Sequence, residues 1–548
     1  MELKLAAIFS DNCVLQRNRN IIVFGTGEEG KTVEAVLSGR KLGSSVEQMA
    51  RGRGVVKDGR FEILLSSLKA GVEHTLTVTD GTQQVVRRNI AIGEVWLAGG
   101  QSNMAFELKD CAESRVLKKP SNSMLRFYNI PRQAYQDEAF FRAEEESSWE
   151  CFGGPGTEHW SAVGYFFAAK LYASVRVPIG IIGCNWGGSP AAAWVPEDLL
   201  AGDRELKIYV DQYEEAVAGK SVEDQLREYQ EYEVYQKKFD KRVASCYARK
   251  PDMDWEEVLK YAGENRWPGP MCCKNPFRPG GLYQCMLRRI IPYTLKGFLY
   301  YQGESDENRP HLYRKLLAGL IGRWREDWGD DRLPFLFVQL PMFKYRKDPD
   351  YKNWCLIREA QNRVQDTVNY TAMTCIIDLG ELNELHPKRK KEVGERMSAQ
   401  ALKLAYGMKD VPDAVFPQLD YADILDGEIV LRIRGAGDGL CVHRPVRPEI
   451  IPPSRRMFIN QPPKKKEEPL PPADKLGFEI AGEDGRYVAA KAQIEGDKII
   501  LSGRGVKSPR YARYLWTNYG EVFVYGKNGL PLAPFRTSRE DGFQFPEG

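Results

Sequence analysis

The stretch GEVWLAGGQSNM, residues 93–104, decides the architecture of this chain. Its first half, EVWLAG, is an almost unbroken apolar run, the pattern of a strand covered on both faces. Its second half turns sharply through two glycines to Ser102 and then enters MAFELKDC, which reads as a helix. Four further apolar runs resemble the first: IGIIGC (about 179–184), KGFLYY (about 296–301), PFLFVQL (about 334–340) and TAMTCIID (about 371–378). Amphipathic helical stretches fit between and after them, at about 161–174, 311–326, 355–367 and 388–405. Strands alternating with helices in this way predict an α/β domain built on a five-stranded parallel sheet.

Working outward, residues 1–91 carry short β-like runs closed by Gly or Asp-Gly, such as IIVFG, RFEILL and HTLTVTDG, and predict a small β-sandwich-like domain. The α/β pattern occupies 92–410. Within it, about 203–262 reads as charged, Tyr-rich helices inserted between the second and third strands. These tyrosines suit helix packing or the lining of a substrate cleft. From 411 to 548 the β pattern returns (GEIVLRI, KIILSG, GEVFVYG), broken by IIPPSRRMFINQPPKKKEEPLPP at 450–472, a Pro- and Lys-rich loop or linker. At about 100–200 residues per domain, 548 residues fit three or four such units.

Composition narrows the function classes. Hydrophobic residues make up 43% and charged residues 28%, with a net charge of only +3, so nothing points to a nucleic-acid partner. The basic runs KRKK (388–391) and KKK (464–466) read as solvated faces. No run approaches the roughly 18 apolar residues of a membrane span. The opening MELKLAAIFSDN has too short an apolar core for a secretory signal. Eleven cysteines, several inside apolar runs (Cys184, Cys355, Cys375), suit buried thiols better than a disulfide framework, and a cytoplasmic location is expected.

Ligands of open parallel sheets bind beyond the carboxyl ends of the strands. The first, second, third and fifth strands exit into GGQSNM, NWGGSP, QGESD and DLGELNELHP, all rich in small or reactive residues. Ser102 stands at the first exit, placed as a nucleophile or simply as a helix cap. A serine hydroxyl needs an imidazole to take its proton. Of the five histidines, His386 is the one at a strand exit, and His159 in a Gly-rich loop is its rival. Oxyanion donors are available in the backbone N–H groups of Gly187 and Gly188 and in the Gln302 side chain. Gln101, Asn103, Trp186 and Glu304 are placed to meet substrate, although for Glu304 a structural role, bonding to the backbone of neighbouring loops, is favoured.

Together with FSDNCVLQRNRNIIVFG, PIGIIGCNWGGSPAAAWVP, RPGGLYQCMLRRIIPYTLKGFLYYQGESD and LHPKRKKEVGERM, these segments resemble the sialate O-acetylesterase family of the SGNH-hydrolase superfamily. The resemblance implies a flavodoxin-like catalytic domain with flanking β domains, hydrolysis of O-acetyl esters on carbohydrates, and no metal or other cofactor. It implies Ser102 as nucleophile, His386 as base, and Gly187, Gly188 and Gln302 as the oxyanion hole. Relatives usually place an Asp two or three residues before the histidine; here Glu384 and Asn383 stand there, with Glu384 the candidate third member of a triad. The expected partner is an acetylated saccharide: acetylated sialic acid, or oligosaccharides of xylan, mannan or xyloglucan. Rival readings are a glycosidase using Glu304 and Glu384, a non-catalytic carbohydrate-binding protein, and a short-chain lipase or esterase.

Overall fold

The strand carrying the decisive stretch runs seventeen residues, Gln84–Gly100, and serves two sheets at once in the computed structural model. Its first half pairs antiparallel with Gly71–Thr79 in the N-terminal β region. Its second half, buried on both faces, lies in the middle of the large central sheet. Residue 91 therefore falls inside a continuous strand. The structure describes residues 2–250, 253, 255–444, 469–503 and 505–538. The KKK run at 464–466 lies outside them.

The order across the central sheet is Glu150–Phe152, Asn122–Asn129, Ile179–Asn185, Gln84–Gly100, Gly297–Tyr301, Phe335–Val338 and Thr371–Thr374. Every neighbouring pair is parallel except the first, which is antiparallel. The sheet is thus mixed and larger than the five parallel strands expected. Two strands are missing from that expectation: the short antiparallel edge Glu150–Phe152, and the parallel Asn122–Asn129, NSMLRFYN, whose polar residues and Arg126 disguise it. Arg126 is nevertheless buried, because its guanidinium donates to the carbonyl oxygens of Ser123 and Asn12 at 2.9 Å each.

Strand order reverses at Gln84–Gly100, with Ile179–Asn185 on one side and Gly297–Tyr301 on the other. Its exit is therefore the topological switch point, where the crevice of such a sheet opens. Helices Ala162–Val175, Pro310–Asp327, Asn353–Thr367 and Lys390–Leu404 bury apolar faces in the core around the sheet.

Two other regions frame the crevice. Helices Lys207–Val217, Val222–Arg249 and Trp255–Ala262 form the insertion, which carries a small core of its own at Phe239, Cys246, Val258 and Ala262. Ser221 starts the long helix by accepting the Asp224 N–H at 3.1 Å. The C-terminal region contains two four-stranded sheets and a two-stranded ribbon. Its Asn518 accepts the Phe343 N–H through its carbonyl (2.9 Å) and donates to Asn353 (2.6 Å), bracing one wall of the crevice. All eleven cysteines are free, and Cys184, Cys355 and Cys375 are buried.

Candidate active site

The turn that presents Ser102 follows from local sterics. Gly100 ends the strand at φ +130°, and a Cβ there would stand 2.1 Å from the Tyr301 carbonyl oxygen, so only glycine fits. The chain then turns directly into the short helix Ser102–Ala105, which puts Ser102 at its first position. The Ser102 N–H has no carbonyl partner among the described residues, as expected at a helix start.

His386 arrives from the loop after the last strand, and its Nε2 lies 2.8 Å from Ser102 Oγ. Burial and the neighbouring Lys390 hold the imidazole below its ordinary pKa, with Glu384 opposing them. His159, the rival, is exposed and bonds to Glu107 and Lys109 instead.

The second strand's exit closes against the serine. A Cβ added on Gly187 would come 3.5 Å from Ser102 Cβ, so this loop lies close beside Ser102. Ser189 folds the turn by donating its hydroxyl and its N–H to the Trp186 carbonyl. The N–H groups of Gly187 and Gly188 are left without carbonyl partners among the described residues. The Trp186 N–H donates to Gly100 O at 3.0 Å, but its ring packs against the core rather than lining the cavity, contrary to the expected substrate contact.

The two glutamines exchange expected places. Gln302 is buried, with its amide donating to Asp306 and to Ser189 O, and its oxygen accepting from Tyr313 at 3.1 Å. No N–H of that side chain remains for an oxyanion. Gln101, by contrast, lines the cavity. Its Oε1 accepts the N–H groups of Ser305 (3.1 Å) and Gly303 (3.4 Å), and its Nε2 has no partner among the described residues.

Behind the serine lies a polar knot of Asn103, Glu304 and Lys390. Asn103 is fully buried; its Nδ2 donates to Glu304 Oε1 (2.6 Å) and to Leu385 O (3.1 Å), and its Oδ1 accepts from Lys390 Nζ (2.5 Å). Asn103 thus ties the Ser102 turn to the third strand's exit and to the His386 loop, and its side chain has nothing left for substrate. Glu304 is buried beside the cavity with Oε2 unbonded, and burial raises its pKa. Lys390 is only 1% exposed, and burial drives its pKa down to about 7. The run KRKK is therefore a solvated face only in part: Lys388 is exposed, Arg389 bonds to Glu392, and Lys390 is core.

Glu384 departs from the expected triad geometry. Its Oε1 accepts the backbone N–H of His386 at 2.9 Å, not a ring N–H. A carboxylate two residues upstream meets that amide before it reaches the imidazole. His386 Nδ1 has no hydrogen-bond partner among the described residues. Asn383 is exposed and receives the Arg346 N–H, so it does not orient the ring either.

Above these groups opens a cavity of about 1000 Å³, whose lining includes Gln101, Ser102, Gly187, Gly188, Glu304 and His386. The insertion supplies much of its other wall. Tyr209 and Tyr213 line it, whereas Tyr229, Tyr232 and Tyr235 pack within the insertion. Among the described residues no three His, Cys, Asp or Glu side chains group to hold a metal ion.

Residues 271–403 match the family model described as carbohydrate esterase, sialic acid-specific acetylesterase. The mouse sialate O-acetylesterase is 25% identical over 443 residues, 74% of each chain. The human sialate O-acetylesterase is 24% identical over 442 residues, covering 74% of this chain and 72% of that one. A carbohydrate acetylesterase from Xanthomonas citri superposes with a TM-score of 0.71 at 25% identity, covering 98% of this chain and all of that one. Over most of its length the chain is thus similar to sialate O-acetylesterases and related carbohydrate esterases. The matched family segment holds Gln302, Glu304, His386 and Lys390. Ser102, Asn103 and Gly187 lie before it and meet those residues only through the fold.

Proposed function

We propose that this carbohydrate O-acetylesterase works through Ser102, by a two-step acyl transfer on O-acetylated saccharides. The observation that carries the reading is the 2.8 Å contact between Ser102 Oγ and His386 Nε2 at the floor of the cavity. Ser102 Oγ attacks the acetyl carbonyl carbon as His386 Nε2 takes its proton. The developing oxyanion rests on the Ser102 and Gly187 N–H groups, with Gln101 Nε2 as the third donor in place of Gln302. The sugar oxygen leaves with the proton from His386. Water, deprotonated by His386, then attacks the acetyl-serine, and acetate departs as Ser102 recovers its proton.

In this reading Asn103, Glu304 and Lys390 hold the reacting pair in register. The strand order and the exits at which Ser102, Gly187 and His386 meet support the flavodoxin-like SGNH assignment. The carboxylates a glycosidase would need are engaged elsewhere, Glu304 on Asn103 and Glu384 on the His386 amide. The candidate substrates are acetylated sialic acid and acetylated oligosaccharides of plant-glycan type. The test is acetate release from p-nitrophenyl acetate and from acetylated xylo-, manno- and sialo-saccharides by wild type and Ser102→Ala. Wild type should release acetate and the variant should not; equal activity would refute the nucleophile.

A further inference from the structure

Of the chain's eleven tryptophans, two keep large exposed rings, Trp267 (51% exposed) and Trp255 (43%), and both line the cavity above Ser102. Large aromatic rings are ordinarily drawn inside, and most of the other tryptophans follow that rule: Trp96, Trp149, Trp160, Trp194 and Trp324 are among the most deeply buried side chains. Two open indoles in one cavity therefore ask for a reason.

Trp267 stands directly beside the reaction centre. Its ring presses on Gly188, where a Cβ would come 2.6 Å from the indole and where φ is +75°. Gly188 adjoins Gly187, which lies close beside Ser102. Ring, loop and nucleophile thus form one continuous surface. The indole is also held from behind. Phe277 packs edge-on at 5.6 Å, and buried Asn275 donates to the carbonyls of Pro268 (3.1 Å) and Pro270 (3.0 Å), fixing the loop that presents it. Tyr232 from the long insertion helix rests on Gly269, supporting the same loop. The edge of the indole that carries Cζ2 and Cε2 is the part that lies against Gly188. Trp255 sits elsewhere on this wall, at the first position of its helix, with its ring edge-on to Phe239 at 6.3 Å.

A half-open indole that lines the cavity offers it a broad apolar surface. A pyranose ring has the complementary surface, a face of C–H groups rimmed by hydroxyls. We infer that Trp267 is the stacking platform for the sugar ring that carries the acetyl ester, and that Trp255 receives a further ring of the same saccharide. The substrate class is therefore an O-acetylated oligosaccharide of at least two pyranose rings. This inference rests on the esterase reading above and deepens it: the sheet supplies the chemistry, and the insertion with the loop that follows it supplies the grip.

The test compares an acetylated saccharide with an ester too small to reach the indoles. Trp267→Ala should lower kcat/KM on O-acetylated xylo-oligosaccharides or O-acetylated sialyllactose, whichever wild type hydrolyses faster, by tenfold or more, chiefly through KM. Its effect on ethyl acetate should be at least tenfold smaller. Trp267→Phe should restore most of the loss, and Trp255→Ala should weaken the oligosaccharide more than the corresponding acetylated monosaccharide. Equal losses on saccharide and ethyl acetate, no recovery with Phe, or wild-type hydrolysis of ethyl acetate alone would overturn the inference while leaving the esterase standing. A binding readout separates the two claims. In Ser102→Ala protein, where the ester should survive, the acetylated oligosaccharide should quench tryptophan fluorescence, and the added Trp267→Ala change should weaken binding tenfold or more. Unaltered binding in the double variant would overturn the platform, whereas loss of the ester in Ser102→Ala protein would overturn the nucleophile.

Discussion

The two walls of the cavity are built by opposite rules. On the sheet side, polar atoms are buried and almost all engaged: Asn103 alone joins Glu304, Leu385 and Lys390, and Gln302 joins Asp306, Ser189 and Tyr313. On the insertion side, aromatic rings stand open to the cavity and the local core is small. The first wall holds its groups through several hydrogen bonds each, the positioning that proton transfer and oxyanion binding require. The second offers area, which recognition of a sugar requires. The difference teaches where each kind of substitution should register: the sheet wall in kcat, the insertion wall in KM.

The largest test of that division is His386→Ala. It should cut kcat roughly 10⁴-fold or more, the scale seen when the base of such a pair is removed, while KM for a saccharide held by the insertion changes little. Steady-state kinetics on one acetylated saccharide decides this, and a large KM effect with modest kcat loss would break the comparison. Next comes the contrast between the two glutamines. Gln101→Ala should lose about 10²–10³ in kcat, as removal of one oxyanion donor does. Gln302→Ala should instead act on stability, leaving buried partners unpaired at a cost of about 1–3 kcal/mol, readable as a lower Tm. The reverse pattern would restore Gln302 to the oxyanion hole.

Glu384→Gln should cost less than tenfold in kcat, because the carboxylate sits on the His386 backbone amide rather than on its ring. A loss near the roughly 10⁴-fold of a true triad acid would show that the carboxylate swings to the imidazole during turnover. The smallest expected effect is a displaced pH limb. His386 must be neutral to accept the serine proton, and burial and Lys390 lower its pKa. Activity should therefore persist below pH about 6.5, the ordinary imidazole value. Lys390, depressed to about 7, is charged where His386 titrates. Lys390→Met removes that charge, so the acidic limb of kcat/KM should move upward; a limb that stays put would mean that Lys390 only packs.

Much of the sheet wall was legible in the sequence because strand exits are physically marked. An apolar run ending in Gly-Gly before Ser102, and a loop histidine after another such run, needed no long-range knowledge. Hydrogen-bond direction was not legible. Gln101 and Gln302 are the same residue type at two adjacent exits, and only the fold says that one amide is engaged and the other open. Lys390 was hidden by composition, since one buried lysine among neighbouring cations reads as a surface run. Asn122–Asn129 was hidden by Arg126, whose charge is satisfied by backbone carbonyls far away in sequence. Trp267 gave no signal at all: a tryptophan between Arg266 and Pro268 carries no periodicity, and its position beside Gly188 is purely tertiary.

The most direct test of the central claim is to trap the acyl-enzyme. Protein mixed with p-nitrophenyl acetate and quenched in acid within the first turnover should yield, on digestion and mass spectrometry, the GGQSNM peptide acetylated at Ser102. The modification should accumulate further in Gln101→Ala if deacylation, which also needs the oxyanion donors, becomes slower than acylation. Acetate release at full rate with the label absent from Ser102, or present on another residue, would contradict the account.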